Sequence, residues 1–337
     1  MAEQNLVSIF IPVFNGEKFL EKTLLSIRNQ TYLNFEVLLV DDSSTDSSQK
    51  IIEEFVKEDF RFKLFVKLNG AIAAKSWNFV LPKLKGIFVF YSSQDDLFSE
   101  DLLEKMILRQ NETKAEIVLP DLEFYFENVK NNSKIIGLND NRNQIISGKQ
   151  ACTESLNWTI HGFGLYSKTL FVNEIFPENA FDSDEFMTRK LFLKSNTIAF
   201  SEGTFFYRQD NPNAITKTFS KKNFYSLNTL QKLHQLLIEN DFDKIYVQKS
   251  KFELYRKFLF FSAAFLNFKF DSENDKEEIR LFLNDYKVNY LSKMVLKSEF
   301  PNTLLLLKTK ILVFVLGNSF LFKMAVWIEG FRIKGRF

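Results

Sequence analysis

The chain has 337 residues, 45% hydrophobic and 26% charged, enough for one large core or two moderate ones. Its 44 basic and 42 acidic side chains leave a formal net charge of +2, which argues against a nucleic-acid binder that works through a strongly basic surface. A single cysteine, Cys152, excludes an intrachain disulfide, and two histidines, His161 and His234, exclude a multi-histidine zinc site, so carboxylates remain as metal ligands.

MAEQNLVSIF at the start places no basic region before its apolar run, so no signal peptide is expected and the cytoplasmic side is favoured. Val7–Phe14, VSIFIPVF, reads as a buried strand closed by Asn15 and Gly16. Glu17–Gln30 repeats Phe19, Leu20, Thr23, Leu24 and Ile27 at the spacing of an amphipathic helix. Phe35–Val40 is a second buried strand and runs into DDSSTDSS at Asp41–Ser48, with a helix at Gln49–Lys57. Phe62–Val66 is a short strand, Asn69 and Gly70 a turn, Ala71–Leu81 a helix and Ile87–Tyr91 a fourth strand. This alternation is the grammar of a parallel sheet with right-handed crossovers.

The fourth strand runs straight into Asp95 and Asp96 and then into a helix at Asp101–Gln110. Each acidic cluster alone reads equally as a helix start, because Ser, Thr and Asp are what an N-terminus wants. Together they stand at the same end of one sheet, where ligands of open α/β sheets collect, and a shared pocket follows. Paired hard oxygen donors there suit Mg²⁺ or Mn²⁺, which in turn suit diphosphates.

IPVFNGEKFLEKTLLSIRNQTYLNFEVLLVDDSSTD, then NGAIAAKSWN, then GIFVFYSSQDD, resembles in order and spacing the nucleotide-sugar-binding half of the inverting family 2 glycosyltransferases with the GT-A fold. The resemblance covers the first third of the chain. It implies a nucleoside contact at Asp41 with Asp42 beside it, a pocket lined by Pro12, Val13 and Asn15, and a donor site completed by Gln94 and Asp95. The metal motif of that family is Asp-x-Asp; here Ser93 replaces its first carboxylate, and Asp95 is the implied ligand of Mg²⁺ or Mn²⁺ on the donor diphosphate.

Further on, Glu116–Phe126 reads as a strand, Asn128–Gln144 as an exposed loop and Ser147–Leu156 as a helix. Trp158–Phe171, WTIHGFGLYSKTLF, is the acceptor-side segment by resemblance. His161 there either touches a sugar hydroxyl or bonds to backbone. Phe181–Ala199 puts Asp182, Asp184 and Glu185 before a helix, where the resemblance implies a Glu-Asp pair with one carboxylate as base. Arg189 falls four residues after Glu185, the favourable order for an ion pair, which ranks Asp184 first as base, then Glu185, then Asp182. Phe200–Tyr207 reads as the closing strand, followed by a loop to Thr216; Arg208 faces the donor phosphates or neutralises nearby acids.

Beyond Phe219 the alternation stops, and Asn223–Glu239, Lys249–Phe265 and Lys276–Tyr286 read as amphipathic helices. The forty phenylalanines read as core filling, as does the stripe Tyr255, Phe258, Phe261. Thr303–Ile328 is the most apolar window, interrupted by Lys308, Lys310, Asn318 and Lys323, and suits a helix lying in a membrane interface with Trp327 at the boundary and Arg332, Lys334 and Arg336 near headgroups, or else a core helix.

The expected protein is therefore α/β, a GT-A mostly parallel sheet flanked by helices with an all-α C-terminal extension. Residues 1–218 form the catalytic domain, with a donor part at 1–115 and an acceptor part at 116–218; residues 219–337 are helical. The expected activity is metal-assisted transfer of a sugar from a nucleotide-diphospho-sugar to a hydroxyl of a glycan or lipid-linked acceptor, with inversion, in cell-surface polysaccharide or glycoconjugate synthesis. The expected place is the cytoplasm, at the inner face of the cell membrane. The alternatives are a sugar nucleotidyltransferase and a non-catalytic binding protein that keeps the fold.

Overall fold

The computed structural model describes residues 5–68, 70, 72–129, 132–214, 217–291 and 304–334. Residues 1–4, Asn69, Ala71, Thr216, Thr303 and Arg336, which figure in the sequence expectations, lie outside the described residues. The chain divides into two compact units, residues 1–178 with 183–212 and residues 179–182 with 213–337.

In the first unit β1 (Val7–Val13), β2 (Phe35–Asp41), β3 (Phe62–Val66) and β4 (Phe88–Tyr91) pair in parallel in the order β3-β2-β1-β4. The helices α1 (Glu17–Arg28), α2 (Ser48–Glu58) and α3 (Ala73–Val80) connect them. All seven residues of β2 are buried. Both faces of this part of the sheet are therefore covered, which is why FEVLLVD lacks the alternation of a half-exposed strand. The register sets Val13 opposite Asp41 and Phe10 opposite Tyr91, so the strands finish at one edge.

The rest of the sheet is mixed. Past β5 (Leu97–Phe98) and α4 (Leu102–Thr113), β6 (Ile117–Tyr125) is the next long strand. Two short strands, β7 (Lys134–Ile135) and β8 (Ile145–Ile146), fall in or just beyond the stretch expected as an exposed loop, where Leu138 is buried and Arg142 forks onto Asp121. After α5 (Gly148–Ser155), β9 (Leu165–Ser167) enters antiparallel between β4 and β6. It lies inside Trp158–Phe171, where no strand was expected, because three residues carry no periodicity to read.

α6 (Ser183–Lys194) opens with Asp184 and Glu185 and closes with Lys194, charges that suit the helix dipole. β10 (Ile198–Arg208) runs parallel to β6 with a register shift between Phe200 and Thr204. Gly203 at φ +88° makes that bulge, in a conformation side chains rarely adopt, and a Cβ there would sit 3.0 Å from the Leu102 backbone. The bulge re-aims the last residues of β10, Tyr207 and Arg208, toward the edge where β1, β2 and β4 finish.

The second unit holds α7 (Ser226–Glu239), α8 (Lys244–Asn267) and α9 (Glu273–Tyr286), with α8 starting five residues before the expected Lys249. Its core gathers Phe224, Leu254, Tyr255, Phe258, Phe261 and Ile279, so the aromatic stripe is core as expected. The apolar window is two helices instead of one, α10 (Leu304–Gly317) and α11 (Ser319–Ile333). Between them Asn318 accepts from the Phe320 and Leu321 N–H groups, capping α11, and the chain bends by 110°. An N-cap side chain starts a new helix and ends the old one.

Gly148 starts α5 where it abuts α6. A Cβ there would lie 1.9 Å from the Phe192 carbonyl oxygen and 2.4 Å from that of Ser195. Backbone cannot yield as a flexible side chain does, so Gly148→Ala is expected to destabilise the fold by about 1–3 kcal/mol. Chemical denaturation should show a lower midpoint at unchanged slope; an unchanged midpoint would disprove this contact.

Candidate active site

The loops that follow β1, β2 and β4 are stitched together by side chains. Phe14 N–H donates to Gln94 Oε1 at 2.8 Å while Gln94 Nε2 donates to the Phe14 carbonyl at 3.0 Å. Asn15, held at φ 48°, receives the Thr45 N–H on Oδ1 at 2.8 Å. The Asn15, Gly16 and Glu17 N–H groups go to Ser44 Oγ, Ser48 Oγ and Asp46 Oδ2. Serines and acids of DDSSTDSS thus serve the neighbouring loop as well as their own helix.

Asp41 is fully buried at the end of β2 and accepts from the Ser44 N–H. Asp42 pairs with Lys67 and accepts from the Gly70 N–H at 2.8 Å. Val13 is buried opposite Asp41, whereas Pro12 is half-buried and Asn15 exposed.

Past β4, Asp95 lies 9% exposed and Asp96 is fully buried. Asp95 Oδ1 accepts from Ser93 Oγ and Oδ2 from Asn211 Nδ2, both at 2.6 Å. Arg208, the last residue of β10, underlies both acids. Its backbone N–H donates to Asp96 Oδ1 at 2.9 Å and its Nε to the Asp95 carbonyl at 2.8 Å. Nη1 meets Asp210 at 3.0 Å and Glu127 at 3.6 Å, and the guanidinium lies over the rings of Phe19 and Tyr125. With no side-chain area exposed, Arg208 is placed to neutralise these acids.

At the start of α6 the expected ion pair is present: Arg189 holds Glu185, and its Nη2 donates to the Ser155 carbonyl at 2.9 Å. Asp184 stands in the first turn of α6, and Asp182 groups with the second compact unit. Tyr91 joins β4 to α6, its hydroxyl 2.7 Å from Thr188 Oγ1 and donating to the Gly162 carbonyl at 3.0 Å. Burial raises the Tyr91 pKa, and the charges of Asp184 and then Glu185 raise it further. His161 is buried with Nε2 2.8 Å from the Pro120 carbonyl, and burial lowers its pKa to about 4. It is a neutral, structural histidine.

Tyr207 feels both acid sets. Burial pushes its hydroxyl up to about 12, aided by Asp96, Asp184, Asp95 and Glu185 in that order. The carboxyls after β4 and those of α6 therefore lie within electrostatic reach of one phenol. Sequence reasoning missed Tyr207, Tyr91 and Asn211: a tyrosine at the end of a strand looks like core, and the Asn211–Asp95 bond spans 116 residues. An apolar recess of about 530 Å³ beside Leu81, Phe171 and Ile175 is a different place, and none of these carboxylates lines it.

Residues 8–173 match the description "Glycosyl transferase family 2". Glycosyltransferase GlyG of Streptococcus pneumoniae serotype 4 is 26% identical over 234 residues, spanning 64% of this chain and 74% of that protein. A cholesterol galactosyltransferase of Borreliella burgdorferi is 27% identical over 278 residues, 78% of this chain and 75% of its own. Among solved structures, S. aureus TarS 1–349 in complex with UDP-GlcNAc superposes with a TM-score of 0.62 at 17% identity, covering 93% of this chain and 91% of that one. That likeness is one of fold.

Burial, and then the neighbouring Asp95 carboxylate, hold the Asp96 pKa well above the usual carboxylate range. A raised acid keeps its proton in the folded state where the unfolded chain has lost it, so its effect on stability worsens as pH rises above the ordinary carboxylate range. Asp96→Asn, which keeps an acceptor for the Arg208 N–H, is expected to melt higher than wild type at about pH 8 and no higher at about pH 4. A difference that is the same at both pH values would count against a protonated Asp96.

Proposed function

We propose that the chain, whose residues 8–173 match the family 2 glycosyltransferases and whose fold is like that of TarS, passes a sugar from a nucleotide-diphospho-sugar to an acceptor hydroxyl with inversion, Asp184 acting as base and Asp95 holding a divalent cation. The observation that carries this reading is the Tyr91 hydroxyl 2.7 Å from Thr188 Oγ1, which ties the end of β4, just before Asp95, to α6, the helix that opens with Asp184 and Glu185. An inverting transfer needs these two acidic functions on opposite sides of one reacting carbon.

Pro12, Val13, Asn15, Asp41, Asp42 and Gln94 form the nucleoside side, on loops locked to each other by the bonds described above. Among the described residues no three His, Cys, Asp or Glu side chains cluster as a complete metal cage. This fits a small hard cation held by one carboxylate and completed by diphosphate oxygens and water. Each Asp95 oxygen accepts one hydrogen bond among the described residues and has a further lone pair to offer. Mg²⁺ or Mn²⁺ bound there neutralises the charge that grows on the leaving diphosphate.

Asp184 takes the acceptor proton while the acceptor oxygen bonds to the anomeric carbon and the carbon–oxygen bond to the diphosphate breaks. Glu185 is engaged by Arg189, which favours Asp184, in the same first turn of α6, as the base. Sugar nucleotidyl transfer would need a loop after β1 that offers amides to phosphates. Here the Phe14, Asn15, Gly16 and Glu17 N–H groups are all taken by side chains. The Borreliella relative is named for cholesterol, a membrane lipid. Such a relative supports a lipid or lipid-linked glycan as acceptor, used at the inner face of the cell membrane in glycoconjugate or polysaccharide synthesis.

A panel of nucleotide sugars, each assayed for nucleoside diphosphate release with and without Mn²⁺, tests the activity; a chain inert toward every donor would sink it. Asp184→Asn is expected to lower turnover by about 10²–10⁴-fold at nearly unchanged donor affinity in calorimetry. If that variant keeps its rate while Glu185→Gln is dead, Glu185 is the base. Asp95→Asn should abolish the Mn²⁺ dependence of nucleotide binding in the same calorimeter, and an unaltered dependence would remove Asp95 as the ligand.

A further inference from the structure

The last two helices are apolar on both faces. Inward, Leu316 of α10 and Val326 and Ile333 of α11 join the core of the second unit, where Phe322 stacks on Phe258 of α8 at 6.0 Å between ring centroids. That contact accounts for one face only. Outward, Leu307, Ile311 and Phe314 repeat at i, i+4, i+7 along α10, and Phe314 is 66% exposed. Phe320, Met324, Trp327 and Phe331 do the same along α11, with Phe320 68% and Trp327 63% exposed. Bulky side chains at helical spacing, left in water on two successive helices, form a surface that monomeric soluble proteins rarely display.

Cations accompany this surface. Lys308, Lys310, Lys323, Arg332 and Lys334 are all exposed. The one acid between Leu304 and Lys334 is Glu329, and Arg332 pairs with it at 3.0 Å. Lysine and arginine stems reach past buried apolar groups to place their heads at a charged boundary, and tryptophan prefers that same boundary.

We propose that the outer face of α10 and α11 is a docking surface for the anionic headgroup layer of a lipid bilayer, lying along it. Neither helix is long enough to cross a membrane by itself: 14 and 15 residues at about 1.5 Å each give roughly 21–23 Å, short of the ~30 Å hydrocarbon core, and the pair is bent by 110°. A second copy of the chain is the poorer occupant, because a two-fold contact would bring the same uncompensated cations against themselves. Anionic lipid offers both an apolar layer for Phe314, Phe320 and Trp327 and counter-charges for the lysines. The surface lies outside residues 8–173 and does not depend on which carboxylate is the base.

The test is co-sedimentation of the full chain with vesicles of phosphatidylcholine, with and without phosphatidylglycerol, alongside sizing chromatography and donor hydrolysis. Wild type is expected to bind the phosphatidylglycerol vesicles and to be released by salt. Lys310→Glu and Lys323→Glu should each weaken binding by about fivefold or more, the equivalent of one headgroup-layer charge. Phe320→Ser with Trp327→Ser should abolish binding while donor hydrolysis and the melting temperature stay at wild-type values, since both side chains face solvent. Wild type that ignores both vesicle types, or variants that bind as wild type does, would overturn the proposal. So would a wild-type dimer that the serine pair converts to monomer without any vesicle binding, which would assign the surface to a second copy.

Discussion

A guanidinium with no exposed area is the constraint on which the rest of the site depends. Arginine does not shed its proton, so Arg208 has to be neutralised where it lies, and Asp210 and Glu127 do this while Phe19 and Tyr125 flank it. Removing either acid would leave this buried cation less compensated. The same residue binds the Asp95 carbonyl and, through its backbone, the Asp96 carboxyl. The loop that carries Asp95 is therefore positioned by β10, and β10 reaches it through the bulge at Gly203.

Crowded carboxyls are kept together by pairing some of them and pushing one toward its neutral form. Burial and the neighbouring Asp95 raise the Asp96 pKa, Glu185 is paired with Arg189, and Asp42 is paired with Lys67. Buried like charges would otherwise repel strongly in a medium that screens them poorly. This arrangement concentrates negative potential at particular oxygens instead of spreading it over the cleft. Tyr207 and Tyr91, both held protonated, add hydroxyls that do not titrate in the working range.

The donor half was legible in the sequence because its strands are covered on both faces and so appear as unbroken apolar runs between Gly, Asn and Asp punctuation. The Glu185–Arg189 pair was legible for the same reason that helices are: its spacing is local. What escaped was non-local or short. β9 is three residues inserted antiparallel between strands distant in sequence, and nothing in LYS announces it. The place of Arg208 was open between two readings because only the folded chain brings it under Asp95. The apolar window was read as one segment, whereas Asn318 works as a cap, a role that its neighbours' composition disguises.

Ser93, where the resembled motif has a carboxylate, fits this charge economy. Its hydroxyl donates to Asp95 Oδ1 at 2.6 Å, so it orients the remaining acid. A carboxylate at that position would have added a further negative charge beside Asp95 and the buried Asp96, adding to the repulsion that already pushes the Asp96 pKa up. One oriented carboxylate is a weak cation site by itself, since hard divalent ions need about six oxygens and shed water reluctantly. With Asp95 as the proposed ligand, affinity would have to come from the diphosphate oxygens, so the ion and the donor would bind as one unit and cation occupancy would follow donor occupancy instead of preceding it.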